Sequence, residues 1–248
     1  AKFVILPVPY ESTVSFKPGT RFGPEAIIFS SRFMELYEEE THSEPYLEGI
    51  LTPGEIVQEI DSAGKMMKKI QNTARKFVEK NCFVFTLGGE HSISFPLVKE
   101  HQKKYPDLKI LHFDAHADLR IQYEGSKFSH ASVMRRISEI GCEIYSFGIR
   151  SISKDEVEDL KKLNNVHIHF AHECRNHDFV NMAKTLPQGN YYISIDIDCF
   201  DPCFVPDTGT PEPGGFSWYE VTGFLKNFIK THNVVGADLV ELAPSHHY

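Results

Sequence analysis

The chain has 248 residues, 41% hydrophobic and 24% charged, with 26 Lys and Arg against 34 Asp and Glu for a formal net charge of −8. That length suits one large α/β domain or two small ones and buries a core that needs no disulfide staples. The acidic balance argues against a nucleic-acid partner, which needs a basic footprint, and is compatible with a cationic substrate. Five cysteines, odd in number and without a CxxC pair, read as free thiols in a reducing cytoplasm. No run is apolar and long enough for a membrane partner, and no signal peptide is visible. The chain begins at Ala1, so loss of an initiator Met or a few residues is expected.

In chain order, Lys2–Val8 predicts a first strand, and Pro9–Pro24 a loop rich in Gly, Pro, Ser and Thr. Pro24 suits the first turn of a helix over Glu25–Leu36. Glu38–Glu48 reads as an acidic surface loop. A long helix is expected from Pro53 to about Lys80, with Thr52 as N-cap and apolar positions at Ile56, Ile60, Met67, Ile70, Ala74, Phe77 and Val78. Cys82–Leu87 is a strand stopped by Gly88-Gly89, and Ser94–Lys104 a helix. The strand that opens at Leu108 is followed by a polar loop, Leu119–Ser129, and a helix over Ala131–Ile140. Glu143–Ile149 (strand), Lys154–Leu163 (helix), Val166–Phe170 (strand) and Asp178–Leu186 (helix) continue the alternation. Tyr191–Asp198 is a strand ending in acids, Asp201–Gly215 a Pro/Gly loop, Ser217–Thr231 a helix and Val234–Val240 the last strand. Strands alternating with helices predict a three-layer α/β/α fold with a mostly parallel central sheet. A closed (β/α)8 barrel is the alternative that this length allows. No linker or repeat divides residues 1–248, so a single domain is expected.

Two stretches carry the chemistry. In Leu108–Asp118, LKILHFDAHAD, an apolar strand ends in Asp114, His116 and Asp118 at alternate positions, which face one way if the chain stays extended. In Tyr191–Asp198, YYISIDID, Ser194, Asp196 and Asp198 share a face opposite Ile193, Ile195 and Ile197. Two carboxylates on one face of a buried strand repel and lose hydration, and a divalent cation removes the conflict. A third element, Gly88-Gly89-Glu90-His91, also stands where a strand gives way to a helix. In open α/β sheets such carboxyl edges bind ligands. The candidate ligands are then His91, Asp114, His116, Asp118, Asp196 and Asp198. Six exceed the four of a structural zinc and suit two metals. Oxygen-rich ligation favours Mn2+ or Mg2+, and one imidazole per metal tilts toward Mn2+. A water bridging two such ions becomes hydroxide near neutral pH, which makes the chemistry metal-assisted hydrolysis.

In order along the chain, GGEHS, DAHADLR, SHAS, SIDIDCFDP, TGTPEPGG and VELAP resemble the arginase/agmatinase (ureohydrolase) family, most nearly its agmatinase form. The resemblance implies the three-layer fold, two Mn2+ per chain and hydrolysis of a guanidino group to urea and an amine. It implies that Asp114 and Asp196 bridge the metals, that His91 and Asp118 complete one site, and that His116 and Asp198 complete the other. Asp118 would also orient the bridging hydroxide. His130, in SHAS, resembles the family's proton-transfer residue, and an imidazole near its normal pKa suits that task. Glu241 resembles the carboxylate that binds the guanidinium, a pairing favoured by bidentate geometry. Thr210 would hydrogen-bond the substrate or serve a plain turn. The family further implies a small cationic guanidino substrate and a cytoplasmic homo-oligomer, trimer or hexamer.

Three departures stand out. Asp207 occupies a position where related agmatinases often have Gly, which bears on the pocket rim. Ser132 replaces a common Thr. The chain stops at Tyr248, soon after VELAP, where relatives continue into a closing helix. Agmatine is the expected substrate, to putrescine and urea, because Leu119–Ser129 lacks the Asn-rich form by which arginases hold an α-amino acid head. Arg120 and Lys127 lie in that loop and could receive a carboxylate if they face the pocket. Arginase, guanidinobutyrase and formimidoylglutamase activities are the alternatives. A catalytically silent metal-bound binding protein is the alternative of another class.

Overall fold

Short apolar strands that are buried on both faces pair in parallel when helices cover them. The computed structural model describes residues 1–175 and 178–245. Its strands are β1 (Phe3–Val8), β2 (Ile50–Leu51), β3 (Phe83–Gly88), β4 (Lys109–Phe113), β5 (Glu143–Ile149), β6 (Val166–Phe170), β7 (Asn190–Asp196) and β8 (Asn233–Val240). They form one sheet in the order β2-β1-β3-β8-β7-β4-β5-β6, with every pairing parallel. The sheet has two open edges, so the barrel alternative is excluded and the three-layer expectation holds. The chain spreads outward in two halves, then inserts its last two strands between them.

The helices are α1 (Gly23–Ser30), α2 (Ala63–Val78), α3 (Ser94–Lys104), α4 (Val133–Glu139), α5 (Lys154–Leu160), α6 (Ala171–Cys174), α7 (Phe179–Met182) and α8 (Trp218–Ile229). One apolar layer packs Met66, Ile70 and Ala74 of α2, Leu97 and Val98 of α3 and Met134 and Ile137 of α4 against Val4, Leu6, Val84, Ile110 and Ile144. The other packs Phe179 of α7 and Val221, Phe224 and Phe228 of α8 against Leu111, Phe113, Phe147, Tyr191 and Ile193. The split of Ile110 from Leu111 and Phe113 follows from the two-residue period of a strand. Among the described residues no helix is long and apolar enough to cross a membrane.

Several boundaries differ from expectation. The long helix begins at Ala63 rather than Pro53, and its N-cap is Ser62, whose hydroxyl accepts from the Lys65 amide at 3.3 Å, not Thr52. Residues 52–62 form no helix. Instead the Ile56 amide donates to the Pro7 carbonyl at 3.0 Å, which ties this segment to the end of β1. Ile56 is buried while Ile60 is 90% exposed, so the helical spacing of these two was coincidental. Ile50–Leu51, between the expected loop and the expected helix, forms the short edge strand β2 beside Phe3 and Val4. α1 stops at Ser30, and a 3-10 turn over Ser31–Phe33 replaces its expected last turn. The expected strand end at Asp198 is also a 3-10 turn, over Ile197–Cys199.

Behind the sheet, Gly236 of β8 leaves room for His101 of α3: a Cβ there would lie 2.5 Å from Nε2. The His101 Nδ1–H donates to the Leu97 carbonyl at 2.8 Å, and the buried Nε2 has no partner. Burial pushes the imidazole down to about 4. The unfolded value is about 6.5, so the unfolded chain takes this proton first. Its effect on stability is absent above about pH 6.5 and grows as a loss while pH falls toward 4. Urea unfolding of wild type and His101→Gln at pH 7.5 and 4.5 should show a smaller acid loss in the variant, by on the order of 2 kcal/mol. Equal losses would show that His101 does not carry this linkage.

Candidate active site

All the candidate residues lie at or beyond the carboxyl ends of the four central strands, where an open α/β sheet presents its crevice. β3 leads to His91, β4 to Asp114, His116 and Asp118, β7 to Asp196 and Asp198, and β8 to Glu241. Gly89 is needed for close approach: a Cβ would meet the Tyr10 carbonyl oxygen at 1.9 Å. The exit of β1 is held there by the Glu90 amide, which donates to that carbonyl at 2.8 Å.

The six residues converge in two groups. His91 Nδ1 lies 3.1 Å from Asp114 Oδ2, 3.2 Å from Asp118 Oδ2 and 3.2 Å from Asp196 Oδ2. His116 Nδ1 lies 3.0 Å from Asp198 Oδ2 and 3.5 Å from Asp114 Oδ1. Asp114 therefore sends one oxygen to each group. The four carboxylates are nearly inaccessible to solvent.

The route to this convergence differs from the expected extended run. β4 ends at Phe113, and the His116 amide turns back to donate to Asp114 Oδ1 at 2.6 Å. Asp118 adopts a left-handed backbone with φ 52°. That conformation is costly outside Gly but tolerated by Asp. The Asp118 carbonyl accepts from the Arg135 amide at 3.1 Å, which ties this turn to α4.

The protein also orients these groups from behind. Ser194 donates to Asp238 Oδ1 at 2.7 Å, so its oxygen accepts from His91 Nε2–H at 3.0 Å. Tyr192 secures the other Asp238 oxygen at 2.9 Å. His91 Nδ1 is thereby left as a buried lone pair close to three carboxylates but aligned in a hydrogen bond with none of them. His112 Nε2 meets Asp114 Oδ2 at 2.9 Å, and its Nδ1 meets Ser146 at 2.9 Å. The Ala115 amide donates to Asp198 Oδ1 at 3.0 Å, and the Asp198 amide to Asp196 Oδ1 at 3.0 Å.

Charge makes the arrangement unstable by itself. Burial pushes Asp118 up to about 6, with the Asp114 charge adding to it. Burial likewise pushes Asp196 well up, helped by Asp198 and Asp114. For Asp114 burial is outweighed by the bonds it accepts, that from His112 first, which hold it well below the usual range. Divalent cations resolve the conflict without protons. Separations of about 3 Å between donors are the edges of an octahedron with bonds of about 2.1 Å. The buried Nδ1 lone pair of His91 and the acid-rich donor set therefore fit a pair of small divalent cations, one in each group.

Above these groups opens a cavity of about 270 Å³ whose walls include His130, Glu241, Thr210, Arg120 and Tyr123. Glu241 is no surface acid. It sits at φ 64°, and its Oε1 accepts from the His91 amide at 2.6 Å. Burial raises its carboxyl well above the usual range. His130 lies lower than its expected normal pKa: burial, chiefly, pushes its imidazole down to about 4. Thr210 donates its hydroxyl to Asp198 Oδ2 at 3.3 Å. Arg120 lines the cavity, over the Tyr123 ring at 5.1 Å and 3.9 Å from Glu156, whereas Lys127 is exposed and Asp207 is not in the wall. Ser132 is buried with an unpartnered hydroxyl.

Sequence reasoning did not single out Glu90, His112, Thr13 or the Ser194–Asp238 pair. His112 could have been found by the same alternation that marks Asp114. The others depend on contacts between distant segments.

The sequence profile of the Arginase family matches residues 1–248. The chain belongs to the arginase family of amidinohydrolases. Its relatives include the N(1)-aminopropylagmatine ureohydrolase of Synechocystis sp., 36% identical over 252 residues that cover 98% of this chain and 82% of that protein. The agmatinase of Bacillus subtilis is 37% identical over 256 residues, covering 98% of this chain and 84% of that one. Among solved structures, agmatine ureohydrolase of Thermoplasma volcanium superposes with a TM-score of 0.91 at 28% identity, over 100% of this chain and 83% of that chain.

Loading with Mn2+ at about a hundredfold excess over Kd should stabilise the fold by about 2.7 kcal/mol for each ion bound. For a domain of this size each ion then raises Tm by about 5–10 °C. Elemental analysis should find two ions per chain. Asp196→Ala should lose metal and activity together; full metal content in that variant would show that the ions bind elsewhere.

Proposed function

We propose that the protein hydrolyses a guanidino compound with two Mn2+ per chain, and that the substrate is agmatine, giving putrescine and urea. The observation that carries the reading is the convergence of His91, Asp114, His116, Asp118, Asp196 and Asp198 beneath a cavity whose wall holds Glu241 and His130. When bound, the two ions would supply Lewis acidity and a water acidified for attack near neutral pH. Asp114, which reaches both groups, would help to hold both ions, and Asp196 would help to hold the one beside His91.

Glu241 binds the guanidinium. A carboxyl whose ionised form is disfavoured by burial gains its charge when a cation enters beside it, so the pocket prefers a cationic group. Asp118 orients the attacking water from the base of the cavity. His130, neutral at pH 7 because of its lowered pKa, accepts a proton and passes it to the leaving amine. The reacting end is enclosed by buried side chains, which strengthens each of these charge interactions.

The tail of the substrate lies toward Arg120, Tyr123 and the Ser151–Glu156 segment. Arg120 is the one cation in this wall among the described residues, and Glu156 stands against it. An arginine carboxylate would therefore find no cation there that does not already face a carboxylate. Leaving it imperfectly paired costs a few kcal/mol, roughly 10²-fold or more in specificity. The names of the relatives favour a second reading with the same chemistry, an agmatine extended by an aminopropyl group.

Urea release from agmatine, N1-aminopropylagmatine, arginine and 4-guanidinobutyrate should be compared as kcat/KM in Mn2+-loaded protein. Either amine-tailed substrate should exceed arginine by about 10²-fold or more. A higher value for arginine or guanidinobutyrate overturns the substrate and leaves the amidinohydrolase reading in place. His130→Ala should lower kcat by on the order of 10²–10⁴-fold with metal content unchanged. Loss of metal in that variant would make His130 a ligand instead.

A further inference from the structure

The loop that leaves β1 is fastened by two buried glutamates. Glu11 accepts from the amides of Gly19 at 2.9 Å and Arg21 at 3.0 Å. Glu90 accepts from the amides of Ser12 at 2.6 Å and Thr13 at 2.7 Å, both through Oε2. Its other oxygen takes the Ser92 hydroxyl at 2.5 Å and the Thr13 hydroxyl at 3.0 Å. The consequence reaches the cavity, because Thr13 Oγ1 is also 3.1 Å from the His130 amide and 3.1 Å from His130 Nδ1.

A threonine hydroxyl has one proton and two lone pairs. The His130 amide can only donate, so it occupies one lone pair. Glu90 is met by donors on every side, two of them amides with no other role, so it receives the hydroxyl proton. The remaining lone pair can only accept, and the group that faces it is Nδ1. That nitrogen must carry hydrogen, and the neutral ring then has its lone pair on Nε2. Nε2 points toward the cavity, where its nearest protein partner is the Ser15 hydroxyl at 3.5 Å. A contact that long is readily displaced by a substrate nitrogen or a water. The Tyr123 ring stands edge-on to the imidazole at 5.7 Å and limits its rotation.

We infer that Thr13, clamped by Glu90, is a positioning residue that holds His130 in the Nδ1–H tautomer and presents Nε2 as the proton acceptor to the pocket. The inference rests on the proposed proton-transfer role of His130 for its catalytic meaning, but the tautomer itself does not depend on that role. The logic repeats the one behind His91, where Ser194, committed to Asp238, fixes which ring nitrogen is bare. In both cases a hydroxyl between a buried carboxylate and an imidazole transmits the carboxylate's demand for a proton to the ring.

Two measurements test it. Neutron diffraction from crystals of the Mn2+-loaded protein at pD about 8 should place deuterium on His130 Nδ1 and none on Nε2. Deuterium on Nε2, alone or together with Nδ1, overturns the inference. In solution, Thr13→Val should lower kcat by about 10–10²-fold with metal content unchanged, less than the loss expected without His130 itself. Thr13→Ser keeps the hydroxyl and should restore kcat to within a few-fold of wild type. A Thr13→Val enzyme at the wild-type rate, or a Thr13→Ser enzyme as slow as Thr13→Val, sinks the positioning role. His130→Ala at full activity would instead refute the proton-transfer reading, while the neutron result for the tautomer would stand.

Discussion

Four carboxylates held out of water within a few ångströms of two imidazoles set the terms for the rest of this structure. Burying even one unpaired charge costs several kcal/mol, and like charges side by side cost more. The chain tolerates the cluster because three of the carboxylates and His91 are held from behind, and the Asp118 backbone is tied to α4. His112 and the His116 amide secure Asp114, and the Ala115 amide and Thr210 secure Asp198. The Asp198 amide in turn secures Asp196, and the Ser194–Asp238–Tyr192 relay fixes His91. These bonds fix direction without cancelling the charge. What they leave over is a concentrated demand for cations at one place, which suits a catalytic centre and would be wasteful as scaffolding.

The sheet order explains why such a centre can be rigid. β7 and β8 are made last and lie in the middle, between β3 and β4. Insertion of these strands brings Asp196, Asp198 and Glu241 up against His91 and Asp114. The bond from the His91 amide to Glu241 spans 150 residues of sequence. No contiguous half of the chain holds a complete site, so assembly of the site coincides with closure of the whole sheet. High contact order of this kind slows folding, but it ties the geometry of the site to the most buried strands.

Much of this was legible in the sequence because alternation in buried strands is a strong signal. DAHAD and DID each place acids on one face at a strand end, and nearly every long strand lies within a residue or two of its expected position. The failures have physical causes. Ile56 and Ile60 mimic helical spacing, yet the segment is spent on a backbone bond to Pro7 at the end of β1. Asp118 reaches the cluster through a left-handed turn, which periodicity cannot express. Glu90 lies in the middle of a motif read for its histidine. Its work is to hold Ser12 and Thr13, nearly eighty residues earlier in the chain. Such non-local side-chain bonds leave no period behind.

The same contrast separates the reaction from the substrate. The reacting end is built by strands whose backbones are fixed on both sides, and it is the part that the motifs spell out. On the proposed reading the tail end is built by the loop from Leu119 to Ser129, which is anchored at few points. The Arg120 amide donates to Ala131, Arg136 reaches the Ile121 carbonyl, and Tyr123 and Ser126 pair across a turn. Between those anchors the charge that a substrate tail meets is decided by a few side chains, chiefly Arg120 against Glu156. Exchanging Arg120 alters that balance without touching the core or the clustered acids, whereas Glu156 is buried and also holds the Leu119 amide and the cap of α5. Loops on a rigid scaffold can change in this way at little cost to stability. A family can therefore keep one hydrolytic centre and change the tail it accepts, so the chemistry is read from the strands and the substrate from the loop.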